Sequence, residues 1–244
     1  MPVVAVVTLV VLVNVTFFFA GGSLFHVLVH RGSCAAVARR RHQPDRRQTR
    51  AMIRGKLPLV FFNGVLLNAI VGAGIALSPG RFGAAYWHSS RYGLVAALIS
   101  TAALFPYYHF ALFYFHRAMH RPWLFRAFHN VHHRFKAPMF LDALYEHPLE
   151  AAYGGLVLIA PLFVLPVSLY GYLMFFAVVG VHEIIDHSGI DIDLPLLSRS
   201  LHHDEHHRRS NCYYGQLLPL LDRAHGSVRG DCGIGQPRRL KSTI

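Results

Sequence analysis

Residues 151–181 carry no charged side chain and lie between two groups of histidines, an arrangement that constrains the fold more than any other feature of the chain. The first group is His116, His120, His129, His132, His133 and His147; the second is His182, His187, His202, His203, His206 and His207. As one helix the apolar stretch would be about 46 Å long at 1.5 Å per residue, more than the roughly 30 Å hydrocarbon core of a bilayer. It would also carry the second group to the opposite side, where two half-sites could not share a metal. The chain must therefore turn back, and Pro161, Pro166 and Gly171 offer the break. Two short tilted helices and a re-entrant hairpin both satisfy this requirement.

The rest of the chain supports a membrane setting. Of its 244 residues 53% are hydrophobic and only 15% charged, which excludes an ordinary soluble domain. Residues 2–29 contain no Lys, Arg, Asp or Glu and are long enough to cross a bilayer; no basic n-region precedes them, so a retained helix is expected over 1–30 rather than a signal peptide. Residues 31–56, with Arg39, Arg40, Arg41, Arg46, Arg47, Arg50 and Arg54, form a basic loop expected in the cytoplasm by the positive-inside rule. Two spans are expected within 57–115, the first offering Gly64, Gly72 and Gly74 for close helix packing. A turn between them bears Tyr86, Trp87 and Tyr92 at the far interface. The second span then delivers His116 and His120 to the cytoplasmic face. Residues 116–222 make a His-rich region around the hairpin, and 223–244 a mobile basic tail. The fold class is an all-α integral membrane protein, about four transmembrane or re-entrant helices with a cytoplasmic helical His-rich domain.

Net charge is +12, and much of the excess flanks membrane segments, where it fixes orientation against anionic lipid rather than making a nucleic-acid surface. Basic side chains are mostly arginine, a composition read as bacterial, which favours an inner membrane over an endoplasmic reticulum. Cys34, Cys212 and Cys232 form neither a disulfide framework nor a metal-like spacing.

Neutral imidazole is the commonest protein ligand for transition metals. His116 and His120 are four apart; His129, His132 and His133 repeat at three and four, as do His203, His206 and His207. On helices each set would project from one face toward a shared ion. Eight histidines in these three sets, with His187 as a ninth, are too many for one four- to six-coordinate ion and suit two.

The pattern His116-x3-His120, His129-x2-His132-His133, a third element around HEIIDHSG, and His203-x2-His206-His207 resembles the fatty acid hydroxylase/sterol desaturase superfamily of membrane di-iron oxygenases. The words FHNVHHRFKAP, YEHPLE, DHSGIDIDLP and HHDEHHRRSNCYYG resemble the methylsterol oxidase and sterol desaturase branch, over residues 107–226. The resemblance implies two iron ions, O2 as co-substrate, and hydroxylation or desaturation of a lipid C–H bond. The third element departs from that of the fatty acid 2-hydroxylases, which place two His four apart: here Glu183 stands four before His187, with His182 beside it, and either is a candidate further ligand. Through the words HPLE and HDxHH, Glu150 and Asp204 are candidates to orient ligands through their second ring nitrogen, and His147 shares the first of those words. Asp142, Glu146 and Asp186 are weaker candidates for the same task.

The substrate implied is a lipid arriving from the bilayer, sterol-like or fatty acyl. Tyr107, Tyr108, Phe110, Phe113 and Tyr114 either line its path or pack. No dinucleotide fingerprint or Cys cluster is present, so electrons are expected from a separate ferredoxin or cytochrome b5-type donor, for which Arg121, Arg126, Arg134, Lys136, Arg208 and Arg209 are a candidate dock. The alternative is a catalytically degenerate metal-binding protein of the same fold. A transporter with a His proton relay fits less well, because the histidines cluster outside the spans.

Overall fold

The computed structural model describes residues 2–30, 37, 39–79, 84–87, 93–193 and 197–228. Six main helices organise them: α1 Val3–His30, α2 Arg50–Leu77, α3 Gly93–Met119, α4 Pro148–Val164, α5 Leu169–Asp186 and α6 Ser200–Arg209. Four of these, α1, α2, α3 and α5, are long and apolar enough to cross a membrane. No strand occurs among the described residues, only isolated bridges. The expected all-helical, multi-pass architecture is the one observed.

Boundaries shift where local chemistry overrides hydropathy. The second span starts not at residue 57 but at Arg50, because Thr49 caps the helix by accepting from the amide of Met52. Arg50, Arg54 and Lys56 are therefore helical rather than part of the basic loop. The third span runs past residue 115 to Met119, which places His116 inside its last turn. Of the three candidate breakers in 151–181 only Pro166 breaks the chain. It disfavours the helical region at Leu165, which is extended (φ −119°, ψ 145°), whereas Pro161 and Gly171 sit inside α4 and α5. The two helices are 17 and 18 residues long, about 26–27 Å each. They go out and back, so that His182 and His187 return to the end from which Pro148 left. At the far end, Ala84 and Ala85 donate to the carbonyl of Leu162, and Tyr86 exchanges backbone bonds with Val167 and Leu169. Residues 84–87 thus lie over the apex of the hairpin, and Tyr92 lies outside the described residues.

Small residues set the helix spacing. The backbone of Val7 lies on Gly72, while Ile159 of α4 lies on Gly74 and Ile70 of α2 on Gly155. Polar struts then tie α2 to the segment joining the first histidine group to α4. Asn63 Nδ2 donates to the carbonyls of Leu144 (2.9 Å) and Glu146 (2.8 Å). The buried Lys56 pairs with the buried Asp142, which also accepts from Gln48 and from the amide of Met139. These struts occupy Asp142, so it orients no histidine.

The segment after α1 lies against the histidine-rich end. The His42 amide donates to the Gly189 carbonyl, and Gln43 Nε2 donates to Asp204 Oδ2 and to the carbonyl of Lys136, both at 2.8 Å. Of the tail expected over 223–244, residues 229–244 lie outside the described residues. Arg223 and Ala224 finish a short helix α7, Leu220–Ala224, and Ser227 bonds back to Asp222.

Candidate metal centre

The first histidine group is not carried on one regular helix. His116 ends α3 and His120 follows it; His129 closes a π-helical turn, Phe125–His129; His132 and His133 lie in a 3-10 turn, His132–Arg134. Only His203, His206 and His207 share an α-helix, α6. The expectation that each set aims at one ion holds for His116 and His120, which meet in one group, and is corrected for the two sets of three. His129 and His133 turn one way and His132 the other, the same division that His203 and His207 make against His206 on the regular helix α6.

The result is two buried groups. Group A is His116, His120, His129, His133 and His206; group B is His132, His187, His203 and His207. Each His-x2-His-His word is split with opposite sense: its outer pair goes to one group and its middle residue to the other. All nine histidines singled out from the sequence fall in these groups. The rings of His133 and His207 are 4.8 Å apart between centroids, so the groups adjoin.

Backing contacts settle which nitrogen faces inward. Nδ1 of His116 faces the carbonyl of Tyr214 at 2.8 Å, Nδ1 of His206 that of Cys212 at 2.7 Å, and Nδ1 of His187 that of Glu183 at 3.0 Å. Nδ1 of His129 faces Glu150 Oε1 at 2.5 Å. Each of these Nδ1 atoms donates a proton to its acceptor, leaving a lone pair on Nε2. Lone pairs nevertheless converge: the Nε2 atoms of His120, His129, His133 and His206 form a closed ring with successive separations of 3.0, 3.1, 3.0 and 3.1 Å. Nε2 of His116 is buried without a hydrogen-bond partner beside them. In group B, Nε2 of His203 is 3.0 Å from that of His187 and 3.1 Å from that of His207.

Converging, unprotonated nitrogens fit a cation. Burial, reinforced by neighbouring histidines, keeps the rings neutral. It lowers His120 to about 2, and holds His129, His132, His203, His206 and His207 well below the ordinary imidazole value. Burial alone leads for His187, which falls to about 4.

The remaining candidates separate. Glu150 touches a histidine of group A. Asp204 instead accepts from Gln43, and burial pushes its carboxyl up to about 7. His147 caps α4, its Nδ1 accepting from the Leu149 amide at 3.2 Å. His182 pairs with Asp186 at 3.6 Å. Glu183 stands with its carboxylate 3.8 Å from Nδ1 of His187, on the outer side of that ring. His147, His182 and Glu183 all lie outside both groups. Beside the Glu183 carbonyl, two further backing groups could not be read from the sequence, the carbonyls of Cys212 and Tyr214, since a backbone acceptor leaves no residue-type signal. Their loop is pinned by Asp222, which accepts from the amides of Tyr214 and Gly215.

A cavity of about 350 Å3 opens beside the groups, lined by apolar side chains of α1, α2, α3, α4 and α5. His116 and His129 of group A, His132 of group B, and Glu146, Glu150 and Glu183 face it. Burial, with Glu150 and Glu183 nearby, pushes the Glu146 carboxyl well up. Of the five aromatics proposed for a lipid path only Tyr108 lines the cavity. Tyr107 donates to the Val157 carbonyl, Phe113 stacks on His225, and Phe110 and Tyr114 are exposed.

A model of the fatty acid hydroxylase family matches residues 101–227, just over half of the chain and all nine clustered histidines. The chain belongs to this family. Human fatty acid hydroxylase domain-containing protein 2 is 35% identical over 128 residues, covering 51% of this chain and 37% of the relative. Fatty acid hydroxylase ahd1 of Mycosarcoma maydis is 29% identical over 214 residues, covering 82% and 51%. Human lathosterol oxidase is 27% identical over 142 residues, covering 57% and 48%. The chain thus spans about a third to a half of the length of these relatives. No solved structure matches. These relatives are named as hydroxylases and oxidases of lipids.

Proposed function

We propose that this chain is a membrane-bound non-haem di-iron oxygenase that hydroxylates or desaturates a C–H bond of a lipid, with O2 as co-substrate and electrons from outside. One observation carries the reading: both histidine groups present side chains to a single apolar cavity continuous with the membrane helices. Iron in the two groups would supply dioxygen chemistry strong enough for an unactivated C–H bond.

The protein's own part is positional. Glu150 and the carbonyls of Tyr214, Cys212 and Glu183 fix the tautomer and aim of His129, His116, His206 and His187. The nitrogen shell differs from carboxylate-bridged soluble di-iron bundles. The cavity walls hold an apolar body against His116, His129 and His132 and keep water away.

The His-rich end is read as cytoplasmic, since the arginine-rich segment 39–54 lies at that end. Arg121, Arg126, Arg134, Lys136, Arg208 and Arg209 are exposed. They would receive an acidic ferredoxin or cytochrome b5-type donor.

The test is elemental analysis of detergent-purified protein together with lipid turnover in the presence of a reductase and donor. Two irons per chain and an oxidised lipid are expected. Replacing His132 with Ala should abolish turnover while leaving the protein inserted; a stoichiometric metal with no turnover across a broad lipid panel would instead establish the degenerate metal-binding protein.

A further inference from the structure

Two kinds of glycine stand apart in the helical bundle. Gly72, Gly74 and Gly155 have a neighbour pressed against the position a Cβ would take: Val7 Cα at 2.8 Å, Ile159 Cγ2 at 2.6 Å and Ile70 Cγ2 at 3.1 Å. There the missing side chain lets two helices close. Gly154 and Gly180 have nothing within 4 Å of that position, and both line the cavity. Gly55 is equally uncrowded, but it lies exposed on the outside of α2.

Neither backbone nor packing calls for glycine at 154 or 180. Both lie inside α-helices, where alanine is the more stable choice, and neither has positive φ. What their missing side chains provide is room in the cavity.

The position of that room is specific. Gly154 is four residues after Glu150 and Gly180 three before Glu183, so each glycine shares a helical face with its carboxylate, one turn deeper in the bundle. Glu150 bonds His129 of group A, and Glu183 contacts His187 of group B. The two gaps therefore open from different helices at one level, immediately beyond the histidines.

We propose that Gly154 and Gly180 determine substrate width: they make room for a lipid that is ring-bearing or branched beside its reacting carbon, in preference to a straight chain. This rests on the lipid-oxidation reading above. A straight methylene chain passing this level would leave both gaps unfilled, and an apolar void forfeits contacts that a broader body makes.

The experiment is equilibrium binding of two neutral alcohols, cholesterol and 1-hexadecanol, to the purified full-length protein in detergent. Variants are Gly154→Ala, Gly154→Leu, Gly180→Ala and Gly180→Leu, with Gly55→Leu as the outside control. Each Leu variant should weaken cholesterol binding by roughly tenfold or more while changing hexadecanol less than about threefold. The Ala variants should move the same way by less, and melt no lower than wild type, which separates lost room from lost fold. Gly55→Leu should change neither probe. Parallel loss of both probes, or no change in either, would overturn the proposal. Binding is read without turnover. A protein that shows the split yet oxidises no lipid refutes the oxygenase function and keeps the width assignment; an active oxygenase whose variants bind both probes as wild type does the reverse.

Discussion

Groups A and B are built from the same words but are not equivalent. A has five histidines, four of them tied through Nδ1 to Glu150, Tyr214, Cys212 and Ser210. B has four, tied through His187, while Nδ1 of His207 finds no partner among the described residues. The symmetric position for a fifth B ligand, four before His187, is Glu183, which faces the cavity rather than the group. The difference teaches that A is the half whose ligands the fold backs more fully, while B, although all four of its histidines are buried, has one ligand fewer. In the proposed oxygenase, A is the tighter ion site and B the one with more room to exchange ligands.

The largest effect should come from separating the halves on α6. His203 and His206 are three residues apart on one helix yet serve different groups. His206→Ala should lower metal affinity at A more than about 100-fold, since removing a mere backing partner already costs ten- to a hundredfold. His203→Ala should do the same at B. Elemental analysis should show one ion lost in each variant and both in the double variant; loss of both ions in either single variant would mean that the halves fill as one unit.

Acid should come next. In the metal-free protein His120 and His187 are lowered to about 2 and about 4 from 6.5, so the unfolded chain binds protons more readily. A lowered histidine leaves stability whole above pH 6.5 and removes it as pH falls toward the folded value. Thermal melts of stripped protein should therefore drop steadily from pH 6.5 to 4, and metal-loaded protein should hold its midpoint further down that range. Equal midpoints at both pH values would show that the rings are not buried neutral.

Glu150→Gln and Glu183→His test the asymmetry from opposite directions. The first leaves His129 without its carboxylate and should weaken A by about ten- to a hundredfold. The second supplies a histidine four before His187, as His116 stands before His120, and should tighten B by about tenfold. Chelator titration resolves both. An unchanged B in Glu183→His would mean that α5 holds residue 183 too far round to reach the group.

Much of this was legible in the sequence because hydropathy and ligand chemistry are carried by residue type. The uncharged run 151–181 had to fold back, and it does; the nine histidines had to meet, and they do. What escaped was carried by backbone. The split of each His-x2-His-His word was open to helical spacing, since residues three and four along diverge by about 100°, as on α6; what the backbone added is that His129, His132 and His133 do so on a π-helical turn followed by a 3-10 turn. Pro161 and Pro166 look alike in sequence, but only Pro166 follows a residue driven extended. The acceptors of His116 and His206 are main-chain oxygens of Tyr214 and Cys212, invisible to any reading by side chain.

That backbone support gives the smallest expected effect and the sharpest test of whether the halves are independent. Asp222 is buried and accepts from the amides of Tyr214 and Gly215 and from Ser227, holding a loop strained at Tyr213, where φ is 55°. The loop touches group A through two carbonyls and leaves His187, the tied ligand of group B, alone. Asp222→Asn keeps the shape but loses the charge-assisted bonds, a change of about 1–3 kcal/mol. If it acts only through the loop, it should weaken A several-fold, leave B at its wild-type affinity, and preserve the melting behaviour of the transmembrane helices. Asp222→Glu, which keeps the charge, should recover part of the loss. Equal weakening of A and B would place the loop beneath the whole centre, and the contrast between a five-histidine half and a four-histidine half would then have to be sought in Glu183 alone.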